Sequence, residues 1–337
     1  MFDYEGQTEE ELVDICNDRH NNNYPSPSWT AEVYSIGKCL RDTTGYPSFL
    51  PLNIYTQHGP NGSAGGKIPE HEYKNNTYCL LVSSSSSKKY GDTTPKKTIQ
   101  YEYPIITYRR KHGINQANDA RGTIVFPDHS IPGFNVNFDY DDFCNELNNL
   151  SEEYKPVCIC LHYHDINKGQ HKEFIKRGFP VYSAGTPYSN DYIDKFYNIL
   201  KNFKYSMSNA IGSHVYYSIE MGIPFSLIGK RPNYYNESFG GQAMGDFDIF
   251  KRYPEMVSLY KLFCNTPRNR ITLEQKIYVY KALGIGEGVK GKKLGIILWI
   301  AYLKYFFSSE NLKKSFQYVV KHPAFFLQPK FWKGILK

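Results

Sequence analysis

The chain has 337 residues, long enough for two domains of ordinary size, each with its own core. Its seven cysteines are odd in number and scattered with no C-x-x-C pair, which excludes a disulfide framework and points to reduced thiols. The net charge of +7 is local: from residue 289 onward ten lysines face the single Glu310, a balance of +9, which leaves −2 for the remainder.

The opening residues, MFDYEGQTEEEL, carry neither the basic nor the apolar region of a signal peptide, so the expectation is a cytoplasmic protein. Residues 9–18 and 30–40 read as helices, and residues 50–56 as a strand running into Gln57, His58 and Gly59. A glycine-rich loop follows to residue 71. Residues 78–82 read as a short strand, the serines 83–87 with Lys88 and Lys89 as a polar loop, and residues 105–108 as a third strand.

From Arg121 the pattern is regular. Strands are expected at 122–126, 157–162 and 180–183, with helices at 140–154, from Gly169 to Arg177, and at 191–203. The stretch KYSMSNAIGSHVYYSIEMGIPFSLIG, residues 204–229, then reads as strand, glycine turn, helix and strand. Such a βαβ unit forces a parallel sheet, and ligands collect at the carboxyl ends of its strands. The helix opened by Gly212, Ser213 and His214 offers free N–H groups, a hydroxyl and a cation to an anion, the makings of a phosphate seat. Residues 229–245 read as a loop able to close over a site, and residues 247–264 and 273–283 as helices.

The expected architecture is α/β with three parts. Residues 1–118 form an acceptor-side α/β domain, residues 119–288 a Rossmann-like nucleotide domain, and residues 289–337 a basic amphipathic tail. That tail mixes Trp299, Tyr302, Tyr305, Phe306, Phe307, Phe316, Phe325, Phe326, Phe331 and Trp332 with its lysines. Its longest apolar run, residues 294–303, is far short of the roughly 20 residues that span a bilayer. The expectation is a tail that lies on an anionic membrane surface, in preference to nucleic acid; a helical brace against the two domains is the plainer alternative.

Ser208, Asn209, Gly212, Ser213 and the helix end YYSIEMGIP (residues 216–224) resemble the donor-binding helix and small-residue turn of GT-B glycosyltransferases. Gln57, His58 and Gly59 resemble the HG motif of enzymes that build capsule, lipopolysaccharide and teichoic acid. Tyr217 stands where many retaining members carry a ribose-binding glutamate. The resemblance implies two Rossmann-like domains facing a cleft. It also implies transfer of a sugar from a nucleotide-sugar donor to a lipid-linked glycan on the inner face of the cytoplasmic membrane. The alternatives are a CDP-alcohol polyol-phosphate transferase and a non-catalytic assembly subunit.

Such chemistry needs a base for the acceptor hydroxyl and donors for the departing phosphate. His58 or Asp128 suits the first role. An imidazole is largely neutral at pH 7, and Asp128 ends a strand where ligands collect. His129, Ser130, His162, Ser208, Asn209, Gly212, Ser213, His214 and Tyr217 surround the donor in this reading, and Arg231 is a further candidate to lend a charge to its phosphates. No metal or other cofactor is expected. Cys158, Cys160, His162 and His164 alternate along one strand about 6.6 Å apart, too far for one zinc to gather. The D-x-D triplets at 139–141 and 246–248 precede helices, where aspartate caps.

Overall fold

The computed structural model describes residues 2–17, 26–57, 59–60, 68–82, 94–130, 134–236, 254–264 and 268–308. His58, residues 237–253 and the tail beyond residue 308 lie outside them, and with them the second D-x-D.

The described elements, in chain order, are α1 (Glu9–Asn17), α2 (Ile36–Thr44), β1 (Ile54–Thr56), α3 (Glu70–Tyr73), β2 (Tyr78–Leu81), β3 (Lys97–Gln100) and α4 (Pro104–Lys111). There follow β4 (Thr123–Val125), β5 (Phe134–Asn137), α5 (Tyr140–Asn148), β6 (Val157–Cys160), α6 (Tyr163–Asn167), α7 (His171–Ile175) and β7 (Val181–Tyr182). Then come α8 (Tyr192–Leu200), β8 (Tyr205–Ser208), α9 (Ser213–Met221), β9 (Phe225–Leu227), β10 (Asn233–Asn236), α10 (Pro254–Cys264), α11 (Leu273–Ala282) and α12 (Gly291–Phe306).

Two parallel sheets organise the chain, as the α/β reading expects. The first runs β1-β2-β3 and the second β7-β6-β4-β8-β9. In the second, the chain fills one side outward from β4 and then returns to fill the other from β8. This is the doubly wound order, with its reversal between β4 and β8. The strands β4, β6 and β8 are buried along their whole length, because helices cover both faces of a parallel sheet. Gly222 ends α9 at φ +94°, a left-handed cap that glycine adopts without strain, and turns the chain straight into β9.

Several sequence expectations change. Residues 105–108 are helix, not strand: Pro104 occupies the first turn of α4, where its missing N–H costs nothing, and the third strand lies earlier at β3. Residues 233–236 are not loop; they pair antiparallel with β5, a strand the periodicity does not reveal. The helix expected over 140–154 stops at Asn148, and Asp139 caps it through Asp142 N–H at 3.0 Å, as the capping reading of D-x-D anticipates. The Cys158–Cys160 strand ends before His162, which opens α6.

The chain also crosses between the halves. Residues 3–7 lie on the second sheet, where Gln7 N–H bonds Val181 O at 2.8 Å. Past α11 the chain returns to the first sheet, with Val289 N–H on Gln100 O and Glu102 N–H on Val289 O at 3.1 Å each. α12 then packs on α2, close enough that a Cβ on Gly295 would meet Thr44 O at 2.9 Å. One hydrophobic core joins Ile54, Leu80 and Tyr103 of the first half to Ile124, Val215 and Tyr216 of the second.

Across this junction α4 grips α9. Arg109 Nε and Nη2 donate to the two oxygens of Glu220 at 2.7 and 2.8 Å, and Arg110 Nε adds a bond at 2.9 Å. Both Arg109 and Glu220 are buried. A buried charge stripped of its partner is expensive. Glu220→Ala is expected to lower the unfolding free energy by about 3–5 kcal/mol, read from the urea midpoint, while Arg109→Met with Glu220→Leu recovers most of the loss.

Candidate active site

A cavity of about 360 Å³ opens at the carboxyl ends of β4 and β8, at the reversal of strand order. The segment after β4 supplies Phe126, Asp128 and His129, and the amino end of α9 supplies Gly212, Ser213 and His214. His162 and Tyr217 also line it, and the first half closes it with Tyr34 and Gly59. Gly59 is pressed against α9: a methyl there would lie 3.1 Å from Ser213 Oγ.

The start of α9 is uncapped. Its N-cap residue is Gly212, which has no side chain to cap the first turn, and Gly212, Ser213 and His214 line the cavity. The partial positive charge of a helix amino end is thus exposed to whatever the cavity holds.

Three imidazoles surround that end. His129 stacks on His162 with centroids 4.1 Å apart, and His129 Nδ1 lies 3.0 Å from Ser130 O. Burial, then the neighbouring His129 and His164, hold His162 well below the ordinary histidine value. Burial, then His129, pushes His214 down to about 3. His214 therefore lends no cation, which corrects the sequence expectation: its ring is packed at 5.0 Å on Phe126, away from water. A bond to the Ala210 backbone engages one ring nitrogen, and Nε2 is a buried atom without a partner. His162 Nδ1 is another, with Tyr34 Oη 3.5 Å from its Nε2.

Asp128 is held from three sides. Its N–H donates to Asn209 Oδ1 at 2.8 Å, its Oδ1 accepts from His129 N–H at 3.0 Å, and its Oδ2 accepts from the Tyr234 hydroxyl. Three residues expected at the donor stand apart from this cavity. Ser130 is fully buried and its hydroxyl accepts from Val136 N–H at 3.2 Å. Ser208 is equally buried and accepts from Ala210 N–H at 3.0 Å. Asn209 lines a second cavity on the other side of the β8 end. Ser208 thereby closes a tight turn after β8, Ser130 ties the β4 end to β5, and Asn209 ties the β8 end to the β4 end.

Two participants escape sequence reading. Tyr34 adopts a left-handed backbone at φ 56° followed by Ser35 at φ 61°, and nothing in the local sequence announces it. Asp165 is buried beneath His129, its Oδ1 accepting from Ser130 N–H at 3.1 Å, and burial raises its carboxyl above the usual range. Its place just after β6 is the one available signal. Among the described residues no cluster of three or more His, Cys, Asp or Glu is placed to hold a metal ion.

No family model matches the chain, and no curated protein matches it. Two solved structures bear a slight likeness to it. A UDP-GlcNAc 2-epimerase from Neisseria meningitidis bound to UDP-GlcNAc shares 11% identity at a TM-score of 0.36, over 70% of this chain and 63% of that one. The wall teichoic acid polymerase TagF shares 11% identity at a TM-score of 0.34, over 70% of this chain and 60% of that one. The chain therefore spans less than two thirds of either, and the likeness is too slight to carry a functional argument.

The buried His214 makes a pH signature. Below about pH 6.5 the unfolded chain protonates this residue while the folded chain does not until about pH 3, so stability falls as pH drops from 6.5. Between pH 7.5 and pH 5 the wild type is expected to lose about 1–2 kcal/mol more than His214→Gln, measured by urea unfolding at each pH.

Proposed function

We propose that this protein is a GT-B-type glycosyltransferase that moves a sugar from a nucleotide-sugar donor to a lipid-linked glycan in cell-surface polysaccharide assembly. The observation that carries the reading is the uncapped amino end of α9 facing a cavity at the β4/β8 reversal.

In this reading the donor diphosphate sits on the first-turn N–H groups of α9 and the Ser213 hydroxyl, where the helix dipole opposes its charge. The acceptor oxygen attacks the sugar's anomeric carbon, the bond from that carbon to the phosphate oxygen breaks, and the nucleotide diphosphate leaves. The acceptor proton passes to His58 or Asp128. Charge on the leaving oxygen grows in the transition state, so preorganised donors at that point lower the barrier. His129, with the neutral rings of His162 and His214, supplies hydrogen bonds in a space largely closed to water. A diphosphate served in this way needs no metal.

The membrane face of the proposal rests on α12. One side of that helix is buried on the first half through Leu294, Leu298 and Ala301, as a brace would be. Its opposite side leaves Ile296 60% exposed and Leu303 44% exposed, beside Trp299, Ile300 and Phe307. Lys292, Lys293 and Lys304 flank this apolar strip. An exposed apolar strip edged with lysine suits an anionic lipid interface. Among the described residues no helix is long and apolar enough to cross a membrane.

Two experiments test these readings. UDP, GDP or CMP is expected to raise the melting temperature by several degrees, with or without EDTA. Ser213→Asp, which puts a carboxylate at the helix start, should keep the fold and abolish that rise. Absence of any shift from all three nucleotides in the wild type overturns the donor site. For the membrane, Ile296→Glu with Leu303→Glu should cut co-sedimentation with phosphatidylglycerol vesicles at least tenfold; unchanged sedimentation removes α12 from the interface.

A further inference from the structure

The second cavity, about 320 Å³, lies between the end of β9 and α10. Its walls are Leu227 and Val257 with the ring of Tyr260, and Arg231 and Lys261 stand exposed at its edge. The Arg231 guanidinium rests 5.4 Å from the Tyr260 ring centroid. The deep polar group is Asn209. Only 2% of this residue is exposed; its Oδ1 is committed to Asp128 N–H, and its Nδ2 is a buried atom with no partner. An unpaired buried donor is costly to the fold, and an incoming acceptor relieves that cost.

The two cavities share one wall. Asp128 lines the first, Asn209 lines the second, and the hydrogen bond between them ties the two together. Asn209 and Ser213, at the start of α9, are four positions apart in the sequence, so the two cavities adjoin one short segment of chain. A flat, largely apolar ring carrying an acceptor fits the second cavity, and its phosphates would run past the Arg231 side toward α9.

We propose that this second cavity is the nucleobase subsite of the donor, and that Asn209 Nδ2 selects a base presenting a carbonyl oxygen. The assignment rests on the donor reading given above. With Oδ1 already spent, Asn209 is a donor only. The carbonyl of uracil or guanine accepts from it, whereas the exocyclic amine of adenine would meet it donor to donor.

Titration calorimetry with UDP, ADP and inorganic pyrophosphate tests the assignment. UDP is expected to bind at least tenfold tighter than ADP. Asn209→Asp keeps an acceptor for Asp128 N–H but removes the donor, and Val257→Trp fills the cavity without adding charge. Each should weaken UDP at least tenfold, and Val257→Trp should leave pyrophosphate within about twofold. UDP affinity unchanged in Val257→Trp, or UDP and pyrophosphate weakened equally by it, overturns the nucleobase subsite while leaving the donor site standing. Failure of both UDP and pyrophosphate to bind the wild type overturns the two together.

Discussion

The pairing of Arg109 with Glu220 fixes where α9 stands, and the candidate site depends on α9. A guanidinium fork meeting both oxygens of a buried carboxylate admits little rotation or sliding. It locks the carboxyl half of α9 to α4, and Tyr103 stacks at 6.3 Å on Tyr217 one turn earlier. The amino half of the same helix then has a set position against Tyr34 and Gly59, which close the cavity from the other side. Such a pair contributes less net stability than its Coulomb attraction suggests, because both charges have left water. What it supplies is one permitted alignment of two sheets.

The cavity inside that alignment joins a dry wall to a polar floor. Phe126, Phe196 and Tyr192 exclude water, and the same exclusion keeps His162 and His214 uncharged. Their unpartnered nitrogens, His162 Nδ1 and His214 Nε2, are thus neutral and buried. The positive end of the site comes instead from backbone dipoles, which do not titrate.

The α/β pattern of residues 121–229 was legible because each element carries its own signal: short apolar strands, and a glycine at the turn after α9. The first half was harder to read. Residues 105–108 are apolar enough for a strand, and only Pro104 with the basic turn at Arg109, Arg110 and Lys111 argues for a helix. Strands β5 and β10 stabilise each other across nearly a hundred residues, a pairing that no local window contains. Within the site, position after a strand pointed to Asp128, His129 and Ser213. It could not separate side chains that face the cavity from Ser130 and Ser208, which turn inward, Ser130 to β5 and Ser208 to its own turn. Tyr34 was invisible because its place depends on a backbone conformation that only the packed structure imposes.

The return of the chain to the first sheet bears on how the protein is made. The Gln100 carbonyl and the N–H groups of Glu102 and Tyr103 find their backbone partners in residues 283–289, nearly two hundred positions downstream. On the ribosome the amino-terminal sheet therefore waits, with that edge open, while the whole second sheet is synthesised, and a nascent chain in that interval presents a sticky flank to its neighbours. Vectorial synthesis thus makes the last described helix the closing clasp of the first-made layer.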